Sequence, residues 1–156
     1  VGKDAGRFFF LMRQSSAHLE FDLELAKKQS SENPVFYIQY AHARIHSIIR
    51  KAKVDASLEP LLGNALLLDK SEEIDVMRKI GLYPEILIGC AKTLEPFPLV
   101  RYLQELAACF HKFYDSHRVI DEDKQLSSQR LALIEAVRLV LGNGLRLLGV
   151  SAPEKM

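Results

Sequence analysis

Apolar residues recur every three to four positions along most of this chain, and clusters of Gly, Pro, Asn and Asp separate the periodic stretches, which predicts helices. The first helix is expected from about Asp4 to Arg13. In "QSSAHLEFDLELAKKQSSE" the alternation of Leu19, Phe21, Leu23 and Leu25 fits an extended start, whereas Asp22 can instead cap a short helix running to about Gln29. Asn33 as a cap and Pro34 in the first turn open a long helix to about Lys53. A loop over about 54–70 follows, whose apolar patch "LLGNALLL" is expected to cover the core. Asp69 and Glu72 have capping-box spacing for a helix of about 71–81 ended by Gly81. "LYPEILIGCAKTLEPFP" predicts another helix, begun near Pro84 and closed by Pro96 and Pro98. From Leu99 to about His117, the residues Leu99, Leu103, Leu106, Phe110 and Phe113 form one stripe at helical spacing. The acidic turn "DEDKQ" leads to a last helix of about 126–148 with leucines on more than one face; Gly149 ends it and the tail "VSAPEKM" follows. The fold class is all-α, a helical bundle.

Composition narrows the function classes. With 156 residues the chain holds one domain, or one with an appendage, and can bury a proper core. It is 48% hydrophobic and 26% charged, and no apolar run reaches the ~18 residues of a membrane span, so a membrane protein is excluded. Cys90 and Cys109 sit among helix-forming apolar residues, as buried thiols of a reducing compartment do, which points to the cytoplasm. "VGKDAGRFFFLMR" is too mixed with charge for a secretory leader, and its start at valine suggests a piece of a longer protein. A net charge of +1 leaves no global field to hold nucleic acid by phosphate contacts alone, so stacking and shaped contacts would have to contribute.

The long helix begun at Pro34 carries the most suggestive chemistry. Ile38, Ala41, Ile45, Ile48, Ile49 and Ala52 fall on one face, the core stripe. Tyr37, Arg44 and Lys51 are spaced by sevens and lie within roughly 40° of one another beside that stripe, with Tyr40 flanking them. Two rings and two cations on one exposed edge suit an unstacked base and its phosphate. A tyrosine at the margin of an amphipathic helix also commonly buries its ring and leaves its hydroxyl in water, so the pattern alone leaves both readings open.

Other signals are weaker. His42 and His46 have the spacing of two zinc ligands, but the glutamate of HExxH is absent and no third ligand is evident; they are read as partly buried or surface histidines, with no metal site. "GNG" at Gly142 to Gly144 has no strand before it and leucines around it, unlike a phosphate loop. Ser15, Ser16 and His18 lack an oriented acidic partner and fit turn or capping roles. The acids Asp121, Glu122 and Asp123 are read as a solvated loop. No catalytic constellation is recognised.

"NPVFYIQYAHARI", residues 33–45, resembles the signature of the anticodon-binding domain of arginyl-tRNA synthetases, the all-α DALR domain. "VGKDAGRFFFLMR" with "SSAHLEFDLELA" resembles the segment following the catalytic signature loop of those enzymes, and "LGNGLRLLGVSAPEKM" resembles their chain end, where a terminal methionine is usual. The resemblance spans essentially the whole chain in order and has a bacterial pattern. One departure is "DAGR" for the usual "DALR" or "DAAR", which sets Gly6 in a helix at about 1 kcal/mol relative to alanine.

The resemblance implies an anticodon-recognition module of an arginine-tRNA ligase, residues 31–156, with residues 1–30 joining it to a missing catalytic domain. That parent would use ATP, with Mg, to attach arginine to tRNA(Arg); this piece would hold no cofactor and be inactive alone. Carried over by position, the anticodon-binding surface comprises Tyr37, Arg44, Tyr114 and Met156, with Tyr40 either a contact or a scaffold. Some relatives carry an aromatic residue four positions after the tyrosine matching Tyr114, where this chain has Arg118, whose planar guanidinium also stacks. Lys51, Arg118 and Lys155 are candidate RNA-backbone contacts, and Asn143 is a weaker candidate. The implied partners are the tRNA(Arg) anticodon loop and the parent's own catalytic domain, in a monomer. The alternatives are the same domain of a cysteinyl or methionyl synthetase, or a free-standing helical protein-interaction module.

Overall fold

A computed structural model describes residues 2–14, 22–56, 58–61 and 66–156. The helices among them are α1 (Lys3–Leu11), α2 (Leu23–Lys27), α3 (Pro34–Ala56), α4 (Ser71–Gly81), α5 (Tyr83–Thr93), α6 (Phe97–Ser116) and α7 (Lys124–Leu147). α6 lies at the centre, packed by α3, α4, α5 and α7, and α3 packs on α7 as well. The predicted stripe of α6 is buried along its length, from Leu99 through Leu103, Leu106 and Phe110 to Phe113. On α3, Ile38, Ala41, Ile45 and Ala52 are buried, while Ile48 and Ile49 pack partly buried at the edge of the core. α7 buries Leu131, Ile134, Val137, Leu141 and Leu145 on one face and Leu133 and Val140 on the adjoining one.

Local chemistry sets the helix ends. Asp22 caps α2 through a bond from Leu25 N at 2.9 Å, the helical alternative for that segment; Leu19 and Phe21 lie outside the described residues, as do Ser15, Ser16 and His18. Asn33 caps α3 by accepting from Val35 N at 3.2 Å, and its amide donates to the Lys28 carbonyl at 2.8 Å, joining α2 to the start of α3. α7 ends in a Schellman motif: Val150 N donates to Leu145 O and Gly149 N to Arg146 O, both at 2.9 Å, with Gly149 at φ +66°.

Several expectations are corrected. The cap of α4 sits one residue later than Asp69 and Glu72: the Glu73 carboxylate accepts from Lys70 N at 3.0 Å, because only Glu73 faces inward. α4 does end at Gly81, but Gly81 is its last helical residue and not a left-handed cap; a left-handed residue instead closes α5, Leu94 at φ 58°, ahead of Pro96. In the loop patch Leu68 is buried but Leu61 and Leu66 are exposed, and residues 62–65 lie outside the described residues; Leu61 N donates to the Ser128 carbonyl at 3.1 Å and Leu67 N to the Gln129 side-chain oxygen Oε1 at 2.8 Å. Cys90 and Cys109 are only half-buried. The acids at 121–123 are also more than a solvated loop: Asp123 caps α7 through Gln125 N at 2.8 Å and Leu126 N at 3.0 Å.

Two close approaches explain "GNG". A Cβ at Gly144 would stand 2.5 Å from Leu103 Cδ2, and one at Gly142 would stand 3.2 Å from His42 Nε2. These glycines let α7 cross α6 and α3 at short range. A buried ion pair, Arg130 Nε to Glu73 Oε1 at 2.7 Å, joins α7 to α4, and Arg130 Nη1 donates to the Arg118 carbonyl at 2.8 Å. It fixes the turn after α6. Chain ends are clasped by Arg7 Nη1 donating to Gly149 O at 2.7 Å and by Gln39 Nε2 donating to Asp4 Oδ2 at 3.0 Å and Ser151 O at 2.9 Å.

Candidate nucleic-acid interface

The N-terminal cap of α3 places Tyr37 in its first turns, and the buried stripe of α6 places Tyr114 beside it near that helix's end. Between them, Arg44 Nη2 donates to the Tyr114 hydroxyl at 2.7 Å, with its guanidinium carbon 5.2 Å from the ring centroid. Phe110 stacks on Tyr114 one turn earlier, with centroids at 5.9 Å and ring planes 22° apart. Arg44 is thereby held as an exposed planar group over an aromatic support, and a splayed base could stack on it.

Two hollows flank this pair. One, of about 410 Å³, is lined by Ser31, Phe36, Tyr37, Tyr40, His111 and Asp115. The Tyr40 ring is nearly parallel to Phe36 (6.4 Å, 9°) and His111 (5.9 Å, 16°), and Tyr37 leans on His111 at 4.6 Å. Burial raises the Tyr37 hydroxyl pKa, and the nearby Asp115 carboxylate adds to it. The other hollow, of about 610 Å³, includes Lys51, Tyr114, Asp115, His117 and Arg118. His117 Nε2 lies 3.1 Å from Glu72 Oε2; that bond, reinforced by Ser71, holds the Glu72 carboxyl at about 2.

Tyr37, Tyr40, Arg44, Lys51, Tyr114 and Arg118 are therefore brought to one edge by α3 and the end of α6. Met156 and Lys155 are exposed at the end of a tail anchored elsewhere. Gln39 and His42 hold that tail through Ser151 and Pro153, and His46 faces a hollow shared with Glu154. Those three residues lie roughly 140–200° around α3 from Tyr37 at ~100° per residue, on the opposite margin. Asn143, also away from the edge, accepts from Arg146 on its own helix.

His42 Nδ1 donates to the Pro153 carbonyl at 2.8 Å, and Arg138 Nη1 lies 3.2 Å from His46 Nε2. Burial lowers the pKa of both histidines. Their spacing thus serves a tail latch. Phe36, His111 and Asp115 are site residues that the sequence reading passed over. The signal was available on α6, where His111, Tyr114 and Asp115 follow at helical spacing just ahead of Arg118, but nothing in the sequence showed that this face meets α3.

The chain is similar to known proteins along its whole length. Residues 38–156 match the family model described as DALR anticodon binding domain. An arginine--tRNA ligase of Geobacter metallireducens is 54% identical over 158 aligned residues, covering 100% of this chain and 28% of the relative; one of Desulforamulus reducens is 49% identical with the same coverage. The structure of Thermus thermophilus arginyl-tRNA synthetase superposes with a TM-score of 0.84 at 28% identity, over 98% of this chain and 26% of that one. These relatives agree with the arginyl expectation rather than the cysteinyl or methionyl alternative. The chain spans about 28% of the length of the curated relatives it matches. With the matched segment covering α3 from Ile38 onward, all of α6 and the tail beyond, the chain belongs to the DALR anticodon binding domain family.

Proposed function

We propose that this chain is the anticodon-reading module of a bacterial arginine-tRNA ligase, binding the tRNA(Arg) anticodon loop along the Tyr37–Arg44–Tyr114 edge. The supporting observation is the convergence on one edge of Tyr37, Tyr40, Arg44 and Lys51 from α3 with Tyr114 from the end of α6 and Arg118 from the turn after it. Splayed bases stack on the rings and on the Arg44 guanidinium, and Lys51 and Arg118 neutralise the adjoining backbone. Met156 and Lys155, on the opposite margin, serve as a separate flanking contact.

In this reading residues 31–156 form the reading module, and residues 1–30, through α1 and α2, join it to a catalytic domain. That domain binds ATP with Mg and couples arginine to tRNA in a cytoplasmic, monomeric enzyme. The module positions substrate and performs no chemistry of its own; arginine-dependent pyrophosphate release by the purified chain would overturn that. Anticodon reading is tested by titrating a labelled tRNA(Arg) anticodon stem-loop at fixed salt, beside a base-swapped loop and Tyr37→Ala protein. The expected outcome is preference for the arginine loop and a loss of about 5- to 100-fold on Tyr37→Ala, the range of one base–aromatic stack. Equal binding of both loops would refute it.

A further inference from the structure

The two hollows differ in chemistry. The one beside Lys51 and Arg118 carries cations suited to phosphate, whereas the one beneath Tyr37 and Tyr40 is aromatic with a carboxylate, Asp115, at its rim. Asp115 lines both and is exposed. It makes no ion pair or hydrogen bond among the described residues, and it sits in the last turn of α6, where a negative charge opposes the helix dipole. Helix stability gives no reason for an acid there. On the wall of the same hollow, His111 Nε2 is buried without a hydrogen-bond partner, and burial holds the imidazole pKa below the usual histidine range despite Asp115 and the Tyr37 backbone carbonyl nearby. Buried polar atoms are ordinarily satisfied, so this wall retains an unused polar group.

We propose that the hollow formed by Phe36, Tyr37, Tyr40 and His111 takes a single unstacked base and that Asp115 reads its edge, accepting a hydrogen bond from an exocyclic amino group. This deepens the anticodon-reading proposal and rests on it. A carboxylate is acceptor-only when ionised, so it favours a base that presents a donor and rejects one that presents a carbonyl oxygen at that place. The volume, about 410 Å³, lies within the range of roughly 300–1,000 Å³ typical of small-molecule sites. The backbone of the held nucleotide then passes toward Lys51 and Arg118 across the shared rim. Asp115 and His111 are thus specificity and wall residues for the loop, alongside the stacking tyrosines.

The sign of one substitution separates this from bulk electrostatics. Removing a carboxylate from a surface facing RNA tightens binding if the charge merely repels phosphate. If Asp115 reads a base, Asp115→Asn instead weakens it. The experiment is a set of stem-loop titrations with wild-type and Asp115→Asn chains at fixed salt. The loops are native tRNA(Arg) sequence and single replacements that remove a base amino group: cytosine to uracil, adenine or guanine to hypoxanthine. We expect Asp115→Asn to weaken binding of the native loop about 10-fold. At one loop position, amino removal should weaken wild-type binding by a similar factor while leaving Asp115→Asn unchanged. Because Asp115 is exposed and unpaired, the variant folds, which circular dichroism verifies. Tighter or unchanged binding of Asp115→Asn across all loops overturns the edge-reading role and leaves anticodon reading standing; failure of the wild-type chain to bind any stem-loop overturns both.

Discussion

Gly6 sits in the interior of α1, and a Cβ there would meet nothing within 4 Å. Its presence in place of the residue usual in the resembling signature is therefore not a packing requirement. Gly6→Ala is expected to stabilise the chain by about 0.5–1 kcal/mol, through helix propensity alone, as measured by urea denaturation. Glu72 gives a second test. Its folded pKa is depressed from 4.5 to about 2, chiefly by the bond to His117 and then by Ser71. The associated stabilisation is complete above about pH 4.5 and is lost as pH falls towards 2. The denaturation midpoint of Glu72→Gln should therefore lie below wild type at pH 7 and converge with it only below about pH 2; a gap that stays constant would refute the assignment. Asp4 acts in the same direction: burial alone would raise its pKa, but hydrogen bonds from Ser151 and Gln39 hold it low, so acid also loosens the clasp between α1 and the tail. Individual residue types were legible in the sequence, while their partners, Asp4 with Ser151 or Glu72 with His117, were separated by tens of positions and were not.

At the scale of elements, periodicity located every helix it proposed, and the deviations fell at the ends. Helix ends depend on which neighbouring carboxylate faces the core, so Glu73 took the capping role expected of Glu72. The same Glu73 pairs with Arg130 in a buried bridge. Glu73→Ala strands a buried guanidinium and should cost about 3–5 kcal/mol, read from the shift in denaturation midpoint, whereas replacing both partners by apolar residues of similar volume should cost much less. Arg130 also holds the Arg118 carbonyl, so stem-loop affinity should fall with the single replacement even under conditions where the chain remains folded. The apolar patch after α3 shows the limit of composition: Leu61 and Leu66 face outward while the backbone N–H groups of Leu61 and Leu67 are held by α7, through the Ser128 carbonyl and the Gln129 side chain.

For the whole molecule, a net charge of +1 predicts weak salt dependence unless cations are gathered locally, and the fold gathers Arg44, Lys51 and Arg118 on one edge. Two phosphate contacts to single-stranded RNA, from Lys51 and Arg118, give a slope of log affinity against log salt of about −1.4, at ~0.7 per contact. Lys51→Ala should reduce the slope by about 0.7, measured over a salt series; an unchanged slope would remove Lys51 from the interface. No helix among the described residues is long and apolar enough to cross a membrane. The sequence by itself determined the all-helical class, the buried stripes of α3 and α6, and the Tyr37, Arg44 and Lys51 line, because these follow from the 3.6-residue period within one segment. Only the tertiary structure decided that Tyr114 and Arg118 complete that line, that Phe36, His111 and Asp115 enclose a hollow beside it, and that the tail bearing Met156 is anchored on the opposite margin. The physical reason is that helical period fixes a residue's angle about its own axis, whereas the meeting of two helices depends on close approaches such as Gly144 against Leu103 and on buried pairs such as Glu73 with Arg130, which no single segment encodes.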